Sequence, residues 1–190
     1  SLFIYLVNFY IFGFTAIRQG IAIGFCFYSL RFVFERKPIK FIALVFISAL
    51  FHSTAIVFLP VYFLWSRDGG LNKWKKAVTI IAGFLFIYGL DYFIEIIGGR
   101  YSGYTNEVAG ANSTFWIMLM WMLAFLVFRK ALLKIDPRNE LLILIFVVGT
   151  MLQFLGFTNA FTKRIGEYFL VAQCILLPQM TCIFTKNSRE

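Results

Sequence analysis

Residues 41–64 read FIALVFISALFHSTAIVFLPVYFL, an apolar run that the polar triplet His52-Ser53-Thr54 interrupts near its middle. About 20 apolar residues carry a helix across the hydrocarbon core of a bilayer. The run is therefore long enough to be one tilted membrane helix of 24 residues. The triplet also allows a second interpretation, in which two half-helices of about twelve residues meet at His52 and form a re-entrant segment.

The rest of the chain shares this apolar character. Hydrophobic residues make up 61% of its 190 residues and charged residues 14%, against roughly 45–50% and about 25% in a soluble domain. Further apolar blocks approach the length of a membrane span, and they lie at 2–17, 19–34, 77–97, 113–128, 141–160 and 165–184. The composition excludes an ordinary soluble domain and predicts an all-α, polytopic transmembrane bundle of about six to seven membrane segments.

We expect residues 1–190 to form a single integral membrane domain. The chain begins at Ser1 rather than Met, and its first apolar block has no basic residue before it. This start does not match a signal peptide. We therefore expect the chain to be a fragment of a longer polytopic protein.

The chain is basic, with 18 lysines and arginines against nine acidic residues and a net charge of +9. A basic balance can indicate nucleic-acid binding. Here the basic residues lie between apolar blocks, where they orient helices and meet anionic lipid head groups. We therefore expect membrane lipid, and not nucleic acid, as a partner.

Most basic residues lie in residues 31–40, 65–76, 129–140 and the C-terminal tail. Short basic loops stay on the cytoplasmic side of a membrane. If segment 41–64 crosses once, 7 basic residues lie inside and 11 outside, whereas a segment that returns places 14 inside and 4 outside. The charge rule favours the return, and the single tilted helix stays open as the simpler alternative.

On the re-entrant topology, the external basic residues share one face of the membrane with His52, and they are Arg18, Arg100, Lys163 and Arg164. An arginine can hold phosphate through two parallel hydrogen bonds. A neutral histidine can accept the proton of a hydroxyl at about pH 7. This set suits transfer from a lipid diphosphate donor to a sugar hydroxyl. In the simpler interpretation, Arg18 anchors a helix end and His52 is a buried core residue.

Further polar residues stand beside these arginines. Gln19 follows Arg18 at the start of an apolar block, where adjacent polar side chains favour a binding site. Glu167 and Tyr168 lie three and four residues after Arg164, so the three share a helix face. They either anchor that helix, or Arg164 binds phosphate with Tyr168 beside it.

Acidic residues come near the end of the block 77–97. Asp91 and Glu95 share one helix face, and Arg100 follows five residues later. The carboxylates either pair with Arg100 at the helix end or bind sugar hydroxyls. The sequence contains no metal-ligand cluster, nucleotide loop or Ser-His-Asp set, so we expect neither a metal nor a cofactor.

Several stretches resemble a known family. They read AIRQGIA (16–22), KFIAL (40–44) and SALFHSTAI (48–56), and Arg164 with Tyr168 is similar to the closing Arg-x3-Tyr pattern of that family. The family is the EpsG-type, Wzy-like polysaccharide polymerases. The resemblance covers most of this chain, and it corresponds to the second half of a full-length member.

The resemblance implies a multi-pass glycosyltransferase of the bacterial inner membrane that extends O-antigen, capsule or exopolysaccharide from undecaprenyl-diphosphate-linked oligosaccharide repeats. It implies that Arg18 and Arg164 bind the diphosphates of the donor and acceptor lipids, and that His52 is the general base. Other polysaccharide export and assembly proteins are the implied partners. The alternative is a transporter or flippase, in which the same residues bind a lipid-linked sugar without chemistry.

Overall fold

The computed structural model of the protein describes residues 16–65, 74, 77, 78, 81, 113–157 and 160–187. Every regular element in these residues is helical, and no strand occurs among them. In chain order the elements are α1 (Ile17–Phe34), α2 (Pro38–Phe51), a 3-10 helix (Ser53–Phe58), α3 (Val61–Leu64), α4 (Ser113–Val127), α5 (Arg129–Ile135), α6 (Asn139–Leu155), α7 (Ala160–Leu170) and α8 (Gln173–Asn187). The all-α prediction is confirmed for this part of the chain.

Helices α1 and α2 form an antiparallel hairpin. The turn between them places Arg36 in the left-handed region, with φ at 58°, and Pro38 then starts α2 with the backbone angle that a first helical residue needs. Across the hairpin, the buried hydroxyl of Ser48 donates a hydrogen bond of 2.8 Å to the carbonyl of Ala22. This bond satisfies a polar side chain that would otherwise face an apolar interior.

The chain reverses after α2. His52 has extended backbone, with φ at −150° and ψ at 113°, and the 3-10 helix follows directly. The ring of Phe41, in the first turn of α2, lies 6.4 Å from the ring of Phe58 and 5.4 Å from that of Tyr62. The chain beyond the break therefore runs back along α2. Residues 41–64 do not form the single tilted helix, and they follow the path that the re-entrant interpretation predicts.

The basic connectors meet at one end of the bundle. The guanidinium of Arg138 lies 5.6 Å from the ring of Phe34, and that ring lies 5.2 Å from the ring of Trp65. These contacts bring together residues 31–40, the start of 65–76 and the connector 129–140. We call the region that these residues form the basic end. This is the arrangement that the positive-inside rule favours for a returning segment 41–64.

Ion pairs order the basic end. Glu35 lies between Lys37, whose ammonium is 2.7 Å from one carboxylate oxygen, and Arg31, whose Nε is 2.5 Å from the other. These hydrogen bonds, the one from Lys37 first, lower the pKa of Glu35 to about 2. Glu35 is therefore ionised at any physiological pH and partly neutralises the basic turn. Arg129 and Glu140 pair similarly at 2.6 Å.

The second half of the described chain is built around α6. Helix α4 packs antiparallel to it, since Phe125 lies 5.1 Å from Phe146 and Phe115 lies 5.7 Å from Phe154. On its other side α6 contacts α7 almost backbone to backbone. A Cβ placed on Gly149 of α6 would lie 3.0 Å from the backbone nitrogen of Leu170 and a similar distance from other atoms of α7.

Apolar helices of this kind indicate a membrane protein. Among the described residues, α1 is the one unbroken helix that is long and apolar enough to cross a membrane. The number rises to three if each of two bent pairs is one span: Phe115–Val127 with Arg129–Ile135, bent by 70°, and Phe161–Leu170 with Gln173–Ile183, bent by 46°. Most of blocks 2–17 and 77–97 lies outside the described residues.

The apolar block 165–184 does not form one continuous helix. Helix α7 ends at Leu170, and α8 begins at Gln173. Between them the amide of Cys174 bonds the carbonyl of Val171 at 3.0 Å, an i to i+3 bond. Such bonds wind the backbone more tightly than an α-helix does, which changes the direction of the chain.

We predict that Gly149→Ala lowers the free energy of unfolding by about 1–3 kcal/mol, because its methyl group would press on backbone atoms of α7 that cannot move aside independently. Thermal denaturation of the purified protein in detergent measures the effect. The matched control is Gly24→Ala on α1, where a methyl group meets nothing within 4 Å in the described chain. A melting temperature for Gly149→Ala equal to that of the control would contradict the close α6–α7 contact.

Candidate functional site

Three segments that are distant in sequence meet at the end of the bundle opposite the basic end. Because Phe34 closes α1 at the basic end, the start of α1 lies at the other end, about 27 Å away for an 18-residue helix. There the side-chain amide of Gln19 donates a 2.7 Å hydrogen bond to the backbone carbonyl of Arg164. The hydroxyl of Thr54 donates one of 3.2 Å to the phenol oxygen of Tyr168. We call this region the polar end, and its residues are Arg18, Gln19, His52, Thr54, Arg164 and Tyr168.

His52 stands at the point where the chain reverses. Its amide bonds the carbonyl of Ser48 at 3.0 Å, and its own carbonyl accepts a 3.0 Å bond from the amide of Ala55. These bonds hold the backbone on both sides of the imidazole. The side chain is half-buried, and the positive charge of Arg164 acts on it electrostatically. The structure thus brings together a histidine and an arginine that are 112 residues apart in the sequence.

The predicted site residues fall into two kinds by exposure. Arg18 and Arg164 are exposed, so both guanidinium groups can reach a charged ligand. Gln19 is only 2% exposed and Tyr168 is fully buried, and their polar groups bond protein atoms from neighbouring segments. Gln19 therefore joins α7 to α1, and Tyr168 joins α7 to the 3-10 helix.

The other predicted site residues cannot be placed. Asp91, Glu95 and Arg100 lie outside the described residues. Among the residues that the structure describes, no group of three or more His, Cys, Asp and Glu side chains has the arrangement of a metal site.

Two residues near the polar end were given no site role from the sequence: Gln153 was overlooked, and Glu167 was placed only on the helix face of Arg164. Glu167 is a half-buried carboxylate on α7, one residue before Tyr168, and the side-chain amide of Gln153 on α6 donates a 2.7 Å hydrogen bond to it. The same amide group reaches the carbonyl of Lys163 at 3.3 Å. The available signal was the presence of Gln153 within the apolar block 141–160, since polar side chains in such segments are costly and commonly functional.

Buried hydrogen bonds and exposed arginines at one end, with basic connectors at the other, define a helical membrane protein with a candidate anion-binding site. The chain belongs to the EpsG family, whose model matches residues 1–190, the whole sequence. The predicted resemblance is confirmed. Membership indicates a polysaccharide polymerase-like role in general terms. Comparison with curated proteins gave no match, and comparison with solved structures gave none either.

We predict that Tyr168→Phe lowers the free energy of unfolding by about 0.5–1.5 kcal/mol, because it removes the acceptor of the buried Thr54 hydroxyl. Thermal denaturation in detergent measures the change. The matched control is Tyr28→Phe on α1, since Tyr28 is 55% exposed and its substitution should change stability by less than about 0.5 kcal/mol. Equal losses in the two variants would show that the bond does not tie the helices together.

Proposed function

We propose that this protein is a membrane glycosyltransferase that joins undecaprenyl-diphosphate-linked oligosaccharide repeats into exopolysaccharide, capsule or O-antigen. The observation that supports it best is the meeting of His52 with Arg164 at the polar end, beside the exposed Arg18. Membership of the EpsG family supports the same reaction class.

The proposed orientation follows from the distribution of charge. The positive-inside rule assigns the basic end to the cytoplasm and the polar end to the outer face of the bacterial inner membrane. In this proposal the chain is a multi-pass protein with about six to seven membrane segments, several of which come from blocks such as 2–17 and 77–97. The polar end then faces the leaflet in which a lipid-linked repeat presents its sugar outward.

The proposed chemistry uses the two exposed arginines and the histidine. Arg18 and Arg164 bind the diphosphates of the donor and acceptor lipids, and a guanidinium is suited to this because it binds two oxygens at once and stays charged. His52 accepts the proton of the attacking acceptor hydroxyl. The bond between the donor sugar and its diphosphate breaks as the new glycosidic bond forms. The lipid diphosphate leaves with a charge that a nearby guanidinium stabilises.

Other residues are given supporting roles. Gln19 and Tyr168 position Arg164, because their bonds fix its helix against α1 and the 3-10 helix. Asp91, Glu95 and Arg100 are proposed to contact sugar hydroxyls or phosphate from the segment 77–100. Because a lipid diphosphate is already a stable leaving group, the proposal requires neither metal nor cofactor. Other polysaccharide export and assembly proteins are the proposed partners.

Transport without chemistry is the second candidate function. Segments broken within the membrane commonly mark the substrate sites of transporters, and both the chain around His52 and the pair α7–α8 are broken. The two functions differ in their product. Incubation of the purified intact protein with lipid-linked repeats yields polymer if it is an enzyme and leaves the repeats unchanged if it is a flippase.

We predict that Arg18→Gln and Arg164→Gln each abolish polymer formation while the protein still inserts, since each removes a diphosphate ligand. In the assay, each substitution is made in the intact gene, and the gene is expressed in a polymerase-deleted strain. The amount of polysaccharide ladder is divided by the amount of the protein in the membrane. Arg31→Gln is the matched control, because Arg31 is an exposed arginine on the same helix as Arg18 but at the basic end. A normal ladder from both test variants would refute the proposed site.

We predict that His52→Gln reduces the rate of polymerisation by about 100-fold or more, the range of a lost general base. The rate is measured with the purified protein and lipid-linked repeats, and the apparent KM should change much less than the rate. Ser53→Ala is the control at the adjacent position. Activity of His52→Gln near that of the control would remove the histidine from the proposed chemistry.

A further inference from the structure

Glu167 is an acidic residue that the proposed chemistry does not use. It lies half-buried between α6 and α7, three residues after Arg164 and therefore on a neighbouring part of the same helix face. A carboxylate within an apolar segment is costly unless it is paired, and such groups commonly mark a functional site. Its cost therefore calls for a role beyond packing.

The carboxylate is held in a defined position. Gln153 donates its hydrogen bond to one carboxylate oxygen, Oε1, at 2.7 Å. Gln153 is itself only 4% exposed, and its amide also reaches the carbonyl of Lys163, so its own position is fixed. Within the described chain Oε2 makes no hydrogen bond, and it is left as an acceptor.

The packing of α6 against α7 places this pair beside the arginine site. Gly149 and Gly166 let the two helices approach closely, with the carbonyl of Gly166 3.1 Å from a Cβ on Gly149. Lys163, one turn before Glu167, adds a positive charge that acts on the carboxylate. A fixed carboxyl oxygen next to an amide matches the hydroxyls of a sugar, which both donate and accept hydrogen bonds.

We propose that Glu167, held by Gln153, binds sugar hydroxyls of the saccharide repeat, in a subsite next to the diphosphate-binding Arg164. The inference rests on the proposed function, because it names the saccharide contact of the same site. Arg164 then recognises the lipid diphosphate and Glu167 the carbohydrate attached to it. The ligand of this subsite is a hydroxyl-bearing oligosaccharide rather than a further anionic group, which the carboxylate would repel.

The test separates the two contacts with two probes. The intact protein in lipid nanodiscs is titrated with the lipid-free oligosaccharide released by mild acid from the lipid-linked repeat, and separately with undecaprenyl diphosphate. We expect Glu167→Gln to weaken oligosaccharide binding by about tenfold, the effect of losing one hydrogen bond to the sugar. Its affinity for undecaprenyl diphosphate should stay within about twofold of wild type, and Arg164→Gln should show the opposite pattern.

Controls distinguish binding from structure. Glu167→Gln keeps an oxygen that can accept the bond from Gln153, so its melting temperature should be unchanged. Gln153→Met removes that bond but keeps the carboxylate, and it should lower the melting temperature. Glu167→Asp withdraws the carboxylate by one methylene and should also weaken oligosaccharide binding. Wild-type oligosaccharide affinity in both Glu167 variants, or loss of both probes together with a lower melting temperature, would overturn the proposal.

Failure of the subsite and failure of the proposed function give different results. If Glu167→Gln alone loses the oligosaccharide but the wild-type protein makes no polymer from lipid-linked repeats, the subsite stands and the glycosyltransferase assignment fails. If polymer forms and Glu167→Gln binds the oligosaccharide normally, the assignment stands and the subsite fails.

Discussion

A backbone that reverses inside an apolar segment must find its hydrogen-bond partners within the protein, because lipid offers none. The reversal at His52 meets this requirement locally, through the bonds of its amide to Ser48 and of its carbonyl to Ala55. The reversed segment is also held across the fold, because the side-chain hydroxyl of Thr54 bonds the phenol of Tyr168 on α7. The reversal also determines which residues meet at the two ends of the bundle. The returning chain brings Trp65 back to Phe34 among the basic connectors, and it leaves His52 at the opposite end near Arg164.

Close helix packing supplies the second constraint. Helices α6 and α7 approach so closely that glycine is needed at Gly149, where even a methyl group would crowd the backbone of the partner helix. Without a hydrophobic driving force between helices in lipid, such small-residue contacts and interhelical hydrogen bonds are what holds membrane helices together. Here they also set the position of the candidate site, because Arg164, Glu167 and Tyr168 lie within one helical turn of Gly166, which contacts Gly149.

At the polar end, the charged arginines are exposed and the amide and hydroxyl side chains are buried. Arginines stay at the surface, where they are hydrated and can exchange water for a phosphate ligand. The side chains of Gln19, Thr54 and Tyr168 go inside, where each has a bonded partner and can hold an element in place, as Gln19 does for the backbone of Arg164. Arg18 and Gln19 are adjacent in the sequence, and only the folded structure shows that Arg18 is exposed and Gln19 is buried.

Composition and the length of the apolar blocks were sufficient to predict an all-helical membrane protein. A soluble domain of this size has too small a core to bury so many apolar side chains. The polar triplet and the basic connectors favoured a reversal at His52 but left a single tilted helix open, and the motifs around Arg18 and His52 predicted the family. The break between α7 and α8 was not predicted, because no polar triplet marks it. Tertiary structure alone decided three contacts between helices, which are Gln19–Arg164, Thr54–Tyr168 and Gln153–Glu167. Helical periodicity determines which residues share a face, but which faces meet depends on how closely helices can approach and on which buried polar groups find partners.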